Sequence, residues 1–202
     1  MTSATTTPAS KEFLDILTTL RAAVASKIDL FQIREKKLTA RTLFELTLRA
    51  VEITAGSETR LLVNDRADIA RGAGADGVHL TANSIRPEVI RRTFGEEFLI
   101  GVSTHSLAEV HKASSAGADF AVFGPVFETT SKPDYGSPVG IPGLQQAAQA
   151  VAPFPVLALG GVSLTNASEC LRAGASGIAA ISLFANAASI KSVLTAIAGK
   201  TS

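Results

Sequence analysis

Short apolar runs alternate with longer amphipathic stretches along almost the whole chain. The runs cover residues 30–33, 61–63, 78–80, 99–102, 120–123, 156–159 and 178–181. Each is too short for a helix and carries little period-two alternation. They therefore predict strands buried on both faces, as in a parallel sheet covered by helices. The stretches 42–53, 107–115, 144–151, 165–172 and 188–197 repeat apolar residues at helical spacing and predict helices between the strands. A first helix is expected to open at Thr7-Pro8, with Thr7 as N-cap and Pro8 in the first turn. Phe13, Leu17, Leu20 and Val24 mark its apolar face.

A junction signature recurs before three of the strands. It reads Gly74-Ala75-Asp76-Gly77, then Gly117-Ala118-Asp119-Phe120, then Gly174-Ala175-Ser176-Gly177. The physical reading is a helix ended by a left-handed glycine, then a tight turn into the next strand. Three copies argue for repeated αβ units, closed into a barrel or laid out as a doubly wound sheet. Only seven strands are predicted, and the chain begins with a helix. An eight-fold barrel would therefore lack its first strand in this chain. The 202 residues suit a single domain over 1–202, somewhat short of the ~250 of a full (β/α)8 barrel. Residues 1–7, rich in Ser and Thr, are expected to form a flexible N-terminus.

Composition narrows the function classes. With 46% hydrophobic and 18% charged residues the chain has enough apolar surface for a sizeable core. A net charge of +1 offers no footprint for nucleic acid or a membrane surface, so any anion site must be local. The single Cys170 excludes an intrachain disulfide and a zinc cluster and fits a reducing, cytoplasmic setting. No apolar run approaches the ~20 residues of a membrane span.

Four groups of chemically capable residues fall at predicted strand ends, where barrel active sites are built. After the first strand come Gln32, Arg34 and Lys36, which alternation sends to one side. An amide and two cations there suit an anion, although taken alone the group reads slightly better as solvated charges beyond the strand. After the second come Asn64 and Asp65. Asp65 could hold Mg2+ with substrate phosphates, or either residue could cap a helix. The third group is the long Gly- and Pro-rich connection from Gly124 to Gly140, in which Thr129, Ser131 and Lys132 offer two hydroxyls and a cation. The fourth is Gly160-Gly161 with Ile181-Ser182, where small residues would let backbone N–H groups approach a phosphate. His79 reads as a packing residue within a strand. Ser103, with no His or Asp placed in sequence as a triad partner, reads as a hydrogen-bonding group rather than a nucleophile.

Taken in order, these groups resemble the thiamine phosphate synthase family and its relatives, the thiazole tautomerases. The likeness runs from about Ile28 to Phe184. It is carried by Gln32-x-Arg34-x-Lys36, Asn64-Asp65, residues 75–80, residues 101–105, residues 123–127, Thr129-x-Ser131-Lys132 and residues 159–162. The resemblance implies a (β/α)8 TIM barrel that joins an aminopyrimidine (hydroxymethylpyrimidine) diphosphate to a thiazole phosphate and releases pyrophosphate. It implies small-molecule substrates, Mg2+ as cofactor, and leaves room for a homo-oligomer. Gln32 would meet the pyrimidine. Arg34, Lys36, Asn64 and Lys132 would hold the diphosphate, with Thr129 and Ser131 lining the same loop. Asp65 would bind Mg2+, Ser103 would contact the reacting region, and Gly161, Ile181 and Ser182 would receive the thiazole phosphate.

Two positions depart from that pattern. Ser84 stands where the synthases carry a second acidic metal ligand. Pro125 stands where the tautomerases carry their acid/base histidine, and proline cannot move a proton. A thiazole tautomerase is therefore the second reading. A phosphate-binding regulatory barrel without catalysis is the third.

Overall fold

Seven parallel strands follow one another in sequence order across a single sheet, β1 to β7, in a computed structural model that describes residues 2–81, 83–129 and 137–198. The strands are β1 (Leu30–Ile33), β2 (Arg60–Asn64), β3 (Gly77–Leu80), β4 (Leu99–Thr104), β5 (Phe120–Phe123), β6 (Val156–Leu159) and β7 (Gly177–Ala179). The helices are α1 (Lys11–Ala25), α2 (Ala40–Thr54), α3 (Ala67–Ala73), α4 (Pro87–Phe94), α5 (Leu107–Ser115), α6 (Gly140–Ala150), α7 (Ala167–Arg172) and α8 (Ile190–Ala198). The sheet curls into a TIM-barrel-like half-barrel.

Alternation along each strand sorts the side chains into two layers. Ile33, Leu61, Val63, Val78, Leu80 and Ile100 face outward and pack with Phe13, Leu17 and Leu20 of α1, Leu43 and Leu46 of α2, and Ile90 of α4. Phe123, Val156 and Ala158 do the same against Val110 of α5, Leu144 and Ala147 of α6 and Cys170 of α7. The intervening residues turn inward. Leu62, Phe120 and Val122 form the inner core with Leu30, Leu99, Leu157 and Leu159. Burial on both faces explains the near-continuous apolar runs.

The junction signature has a definite job. Gly74, Gly117 and Gly174 all hold positive φ, at 82°, 82° and 94°, where a side chain would be strained. The following Asp then reaches back to the preceding strand. The Asp76 carboxylate accepts from the Leu61 N–H at 2.7 Å and from Arg60 at 2.9 Å. Asp119 accepts from the Ile100 N–H at 2.6 Å and from Arg91 at 2.7 Å. In the third copy a backbone link takes this place, from the Ser176 N–H to the Val156 carbonyl at 2.9 Å.

The boundaries differ from expectation in three informative places. Helix α1 starts at Lys11, not at Thr7-Pro8. The Thr7 carbonyl takes both the Ser10 N–H and the Ser10 hydroxyl, which closes a turn ahead of the helix. Helix α6 begins at Gly140, four residues before the apolar periodicity does. Strand β7 stops at Ala179, so Ile181 lies outside it and is 66% exposed. Ahead of α1, Thr2 and Thr6 are buried, and the Thr2 hydroxyl donates to Glu35 just past β1. Strands β1 and β7 are the two edges of the sheet. Outside that seam α1 packs against α8 and the turn Ala187–Ser189, so the helical layer meets itself where the strand layer does not.

Candidate active site

The pairing register builds the site. Gln32 lies opposite Leu62, Asn64 opposite His79, His79 opposite Gly101, and Ser103 opposite Val122. Leu62 and Val122 belong to the inner core, so their register partners Gln32 and Ser103 face inward too. Asn64, two residues past Leu62, turns the same way, and so does its partner His79. The C-terminal ends of β1 to β4 thus project Gln32, Asn64, His79 and Ser103 from the inner face of the sheet.

Asn64 and His79 are buried. His79 Nε2 sits 2.9 Å from Ser103 Oγ, a partnership for Ser103 that the sequence did not disclose. The signal was present in the strand order. With β3 and β4 adjacent and parallel, His79 faces a residue two positions before Ser103 and on the same side. Gln32 Nε2 is buried without a hydrogen-bond partner among the described residues. An unmet buried donor costs about 1–3 kcal/mol, so this amide is suited to an acceptor brought by a ligand.

Asp65 stands at the rim of β2 with φ at 62°. Its N–H donates to the His79 carbonyl at 2.9 Å, which fixes this backbone to β3. The left-handed conformation costs a non-glycine residue on the order of 1 kcal/mol. Asp65 is exposed and does not occupy the N-cap position of α3, which is Arg66 and makes no side-chain cap bond. Arg66 grips Asp68 with two hydrogen bonds of 2.8 and 2.6 Å. That contact pulls the Asp68 carboxyl below its usual range and raises Arg66. The Asp65 carboxylate takes no hydrogen bond from the described residues.

On the neighbouring rim, Arg34 is half-buried and Lys36 exposed. Strand alternation reaches only to Ile33, after which a turn carries Lys36. Beyond β3 the Ser84 hydroxyl accepts the Thr81 N–H at 2.7 Å and meets the Thr81 hydroxyl at 3.1 Å, closing a turn. Among the described residues no three of His, Cys, Asp and Glu come together to hold a metal.

The connection after β5 is anchored at its base. Val126 and Phe127 donate to the carbonyls of Leu159 and Gly160 at 2.8 and 3.0 Å, and Val139 returns to the Pro125 carbonyl at 2.9 Å. From just past β4, His105 Nδ1 bonds the Gly124 carbonyl. Gly160 and Gly161 hold φ of 94° and 64°. A Cβ at Gly160 would lie 2.6 Å from Pro125 Cα, and one at Gly161 2.5 Å from the Glu128 carbonyl oxygen. The glycine pair thus lets the β5 connection lie directly on the end of β6. Thr129 is the last described residue of that connection before the gap, and Ser131 and Lys132 fall outside the described residues. Ile181 and Ser182 are exposed at the end of β7, where Ser182 opens a short turn, Ser182–Phe184.

Comparison with known proteins places this arrangement. Residues 4–184 match the family model described as thiamine monophosphate synthase. The chain is 46% identical over 168 residues to a putative thiamine-phosphate synthase of Geobacter sulfurreducens, covering 83% of this chain and 78% of that one. It is 39% identical over 163 residues to the thiamine-phosphate synthase of Chloroflexus aurantiacus, with 81% and 74% covered. Among solved structures, the thiamine phosphate pyrophosphorylase from Pyrococcus furiosus superposes with a TM-score of 0.81 at 26% identity, over 92% of this chain and 91% of that one. On these matches the chain belongs to the thiamine monophosphate synthase family.

Proposed function

We propose that the chain is a cytoplasmic transferase that joins hydroxymethylpyrimidine diphosphate to a thiazole phosphate, giving thiamine phosphate and pyrophosphate. What supports this reading is the inward polar set Gln32, Asn64, His79 and Ser103, with Arg34 and Lys36 following shortly after β1 in the chain and Asp65 directly after β2. Amides and hydroxyls suit a neutral heterocycle, and the cationic rim suits its diphosphate. No helix among the described residues is long and apolar enough to cross a membrane.

The reaction needs no covalent nucleophile from the protein. As the bond between the pyrimidine methylene and the diphosphate oxygen breaks, the electron pair leaves with the diphosphate and the methylene becomes electron-poor. The thiazole nitrogen then supplies the pair for the new C–N bond. Preset charges on the departing group stabilise that state more than the ground state and lower the barrier. Arg34, Lys36 and Lys132 are the cations assigned to this, with Asn64 as a neutral donor. The Gln32 amide would satisfy its buried N–H on the pyrimidine, and the Ser103 hydroxyl would lie against the reacting methylene. Thr129 and Ser131 would line the loop that carries Lys132, with Gly161, Ile181 and Ser182 around the thiazole phosphate.

Mg2+ fits this rim as an ion shared with the substrate, because it can be held by one carboxylate, here Asp65, with phosphate oxygens and water completing its shell. When bound it would offset negative charge on the leaving diphosphate. Ser84 adds no charge to that shell.

The test is direct. Purified chain given both heterocycles and excess Mg2+ is expected to form thiamine phosphate and pyrophosphate in equal amounts. Binding of both substrates with no product at any Mg2+ concentration would replace this reading with a non-catalytic barrel. Interconversion of thiazole isomers without the pyrimidine would replace it with a tautomerase. Ser84→Asp keeps an acceptor for the Thr81 N–H and adds a charge, so it should lower the Mg2+ needed for half-maximal rate by about tenfold. An unchanged requirement would show that this turn does not face the ion.

A further inference from the structure

His79 is built into the site more elaborately than a packing residue requires. Gly101 lies directly opposite it on β4, and a Cβ there would come within 2.3 Å of the Phe120 ring. The missing side chain lets Phe120 cross beneath β4 and present itself edge-on to the imidazole, with centroids 6.1 Å apart and planes at 77°. Such edge contacts favour one ring orientation. In that orientation Nε2 meets Ser103 Oγ at 2.9 Å. The carbonyl of the same residue accepts the Asp65 N–H, so its backbone also steadies the left-handed turn of the metal-binding candidate.

We infer that His79 is a positioning residue for the transfer: Phe120, admitted by Gly101, sets its ring, and the ring holds the Ser103 hydroxyl toward the reacting methylene. A free serine hydroxyl samples several rotamers, whereas one tied to a buried imidazole keeps a single direction. Misplacing such a group by about 1 Å can cost about 100-fold in rate. The inference rests on the functional reading above, and it adds a residue that acts through another rather than on the substrate.

The experiment combines kinetics with a spectroscopic readout that needs no turnover. His79→Gln keeps a side-chain nitrogen able to reach Ser103, and His79→Ala removes it. His79→Ala should lower kcat by about 10–100-fold with KM within about twofold, and His79→Gln should restore most of that loss. The double variant His79→Ala/Ser103→Ala should be no slower than Ser103→Ala alone, because the two act as one unit. Multiplying losses, or His79→Gln as slow as His79→Ala, would overturn the inference. Three histidines make the imidazole nitrogen spectrum of 15N-labelled protein simple to assign. Ser103→Ala should shift the His79 Nε2 resonance and leave those of His105 and His111 in place; an unmoved His79 signal would also overturn it. If wild type forms no thiamine phosphate, the functional reading fails and takes the proposed role of His79 with it. The nitrogen spectrum then still reports whether His79 and Ser103 are paired.

Discussion

Asp65→Asn is expected to reduce kcat by about 100- to 1,000-fold, the scale of losing one preset electrostatic partner of a developing charge. The substitution keeps size and shape, and Asn tolerates the left-handed conformation as well as Asp does. The Asp65 N–H bond to the His79 carbonyl should survive, since it uses only backbone. Stability should therefore stay within about 0.5 kcal/mol. Steady-state rates across a Mg2+ series, read beside a urea unfolding curve, separate the two effects. Near-wild-type turnover would remove Asp65 from the chemistry. A large stability loss would make its left-handed turn a structural feature instead.

Gly160→Ala is expected to act first on the fold. The new Cβ would meet Pro125 Cα and Cβ at 2.6 Å, and both belong to an anchored segment that cannot simply rotate away. Adding the strain of φ at 94°, the change should destabilise the fold by about 3 kcal/mol. It should also lower activity, because the connection that carries Thr129 and Lys132 starts from this contact. Gly56→Ala supplies the control. Its φ is 74°, but nothing lies within 4 Å of the added atom, so only the conformational cost of about 1 kcal/mol applies. Equal losses in the two variants, measured by urea unfolding, would show that the packing of β6 against the β5 connection is not what requires glycine.

The strands were legible because parallel sheets covered on both sides write themselves as short apolar runs. Leu30–Ile33, Phe120–Phe123 and Val156–Leu159 match residue for residue. The glycine junctions were legible for an equally local reason, since the positive φ at Gly74, Gly117 and Gly174 leaves little choice of residue. Helix starts were harder. At Thr7 and Ser10 two good caps compete, and the turn they form with each other decides the boundary. At α6 the chain turns helical from Gly140, because the Gly140 N–H is tied to the Val126 carbonyl, a contact from a distant part of the sequence.

The candidate site residues followed the same division. Gln32, Asn64 and Asp65 could be placed by strand ends alone. The pairing of His79 with Ser103 needed the strand order, which sequence pattern did not choose between barrel and doubly wound sheet. The role of Gly160 and Gly161 against the β5 connection was also hidden, since it depends on Pro125 and Glu128 arriving from another strand end. Their smallness at this rim is required by packing whether or not a phosphate lies nearby.

The central claim is that the diphosphate binds where β1 and β2 end. The most direct measurement is a crystal structure of the chain grown with thiamine phosphate, pyrophosphate and Mg2+. The account predicts pyrophosphate beside Arg34 and Lys36, with the ion on the Asp65 carboxylate and the pyrimidine ring against Gln32. Pyrophosphate bound on the outer helical layer, or on the inner rim with the ion away from Asp65, would contradict it.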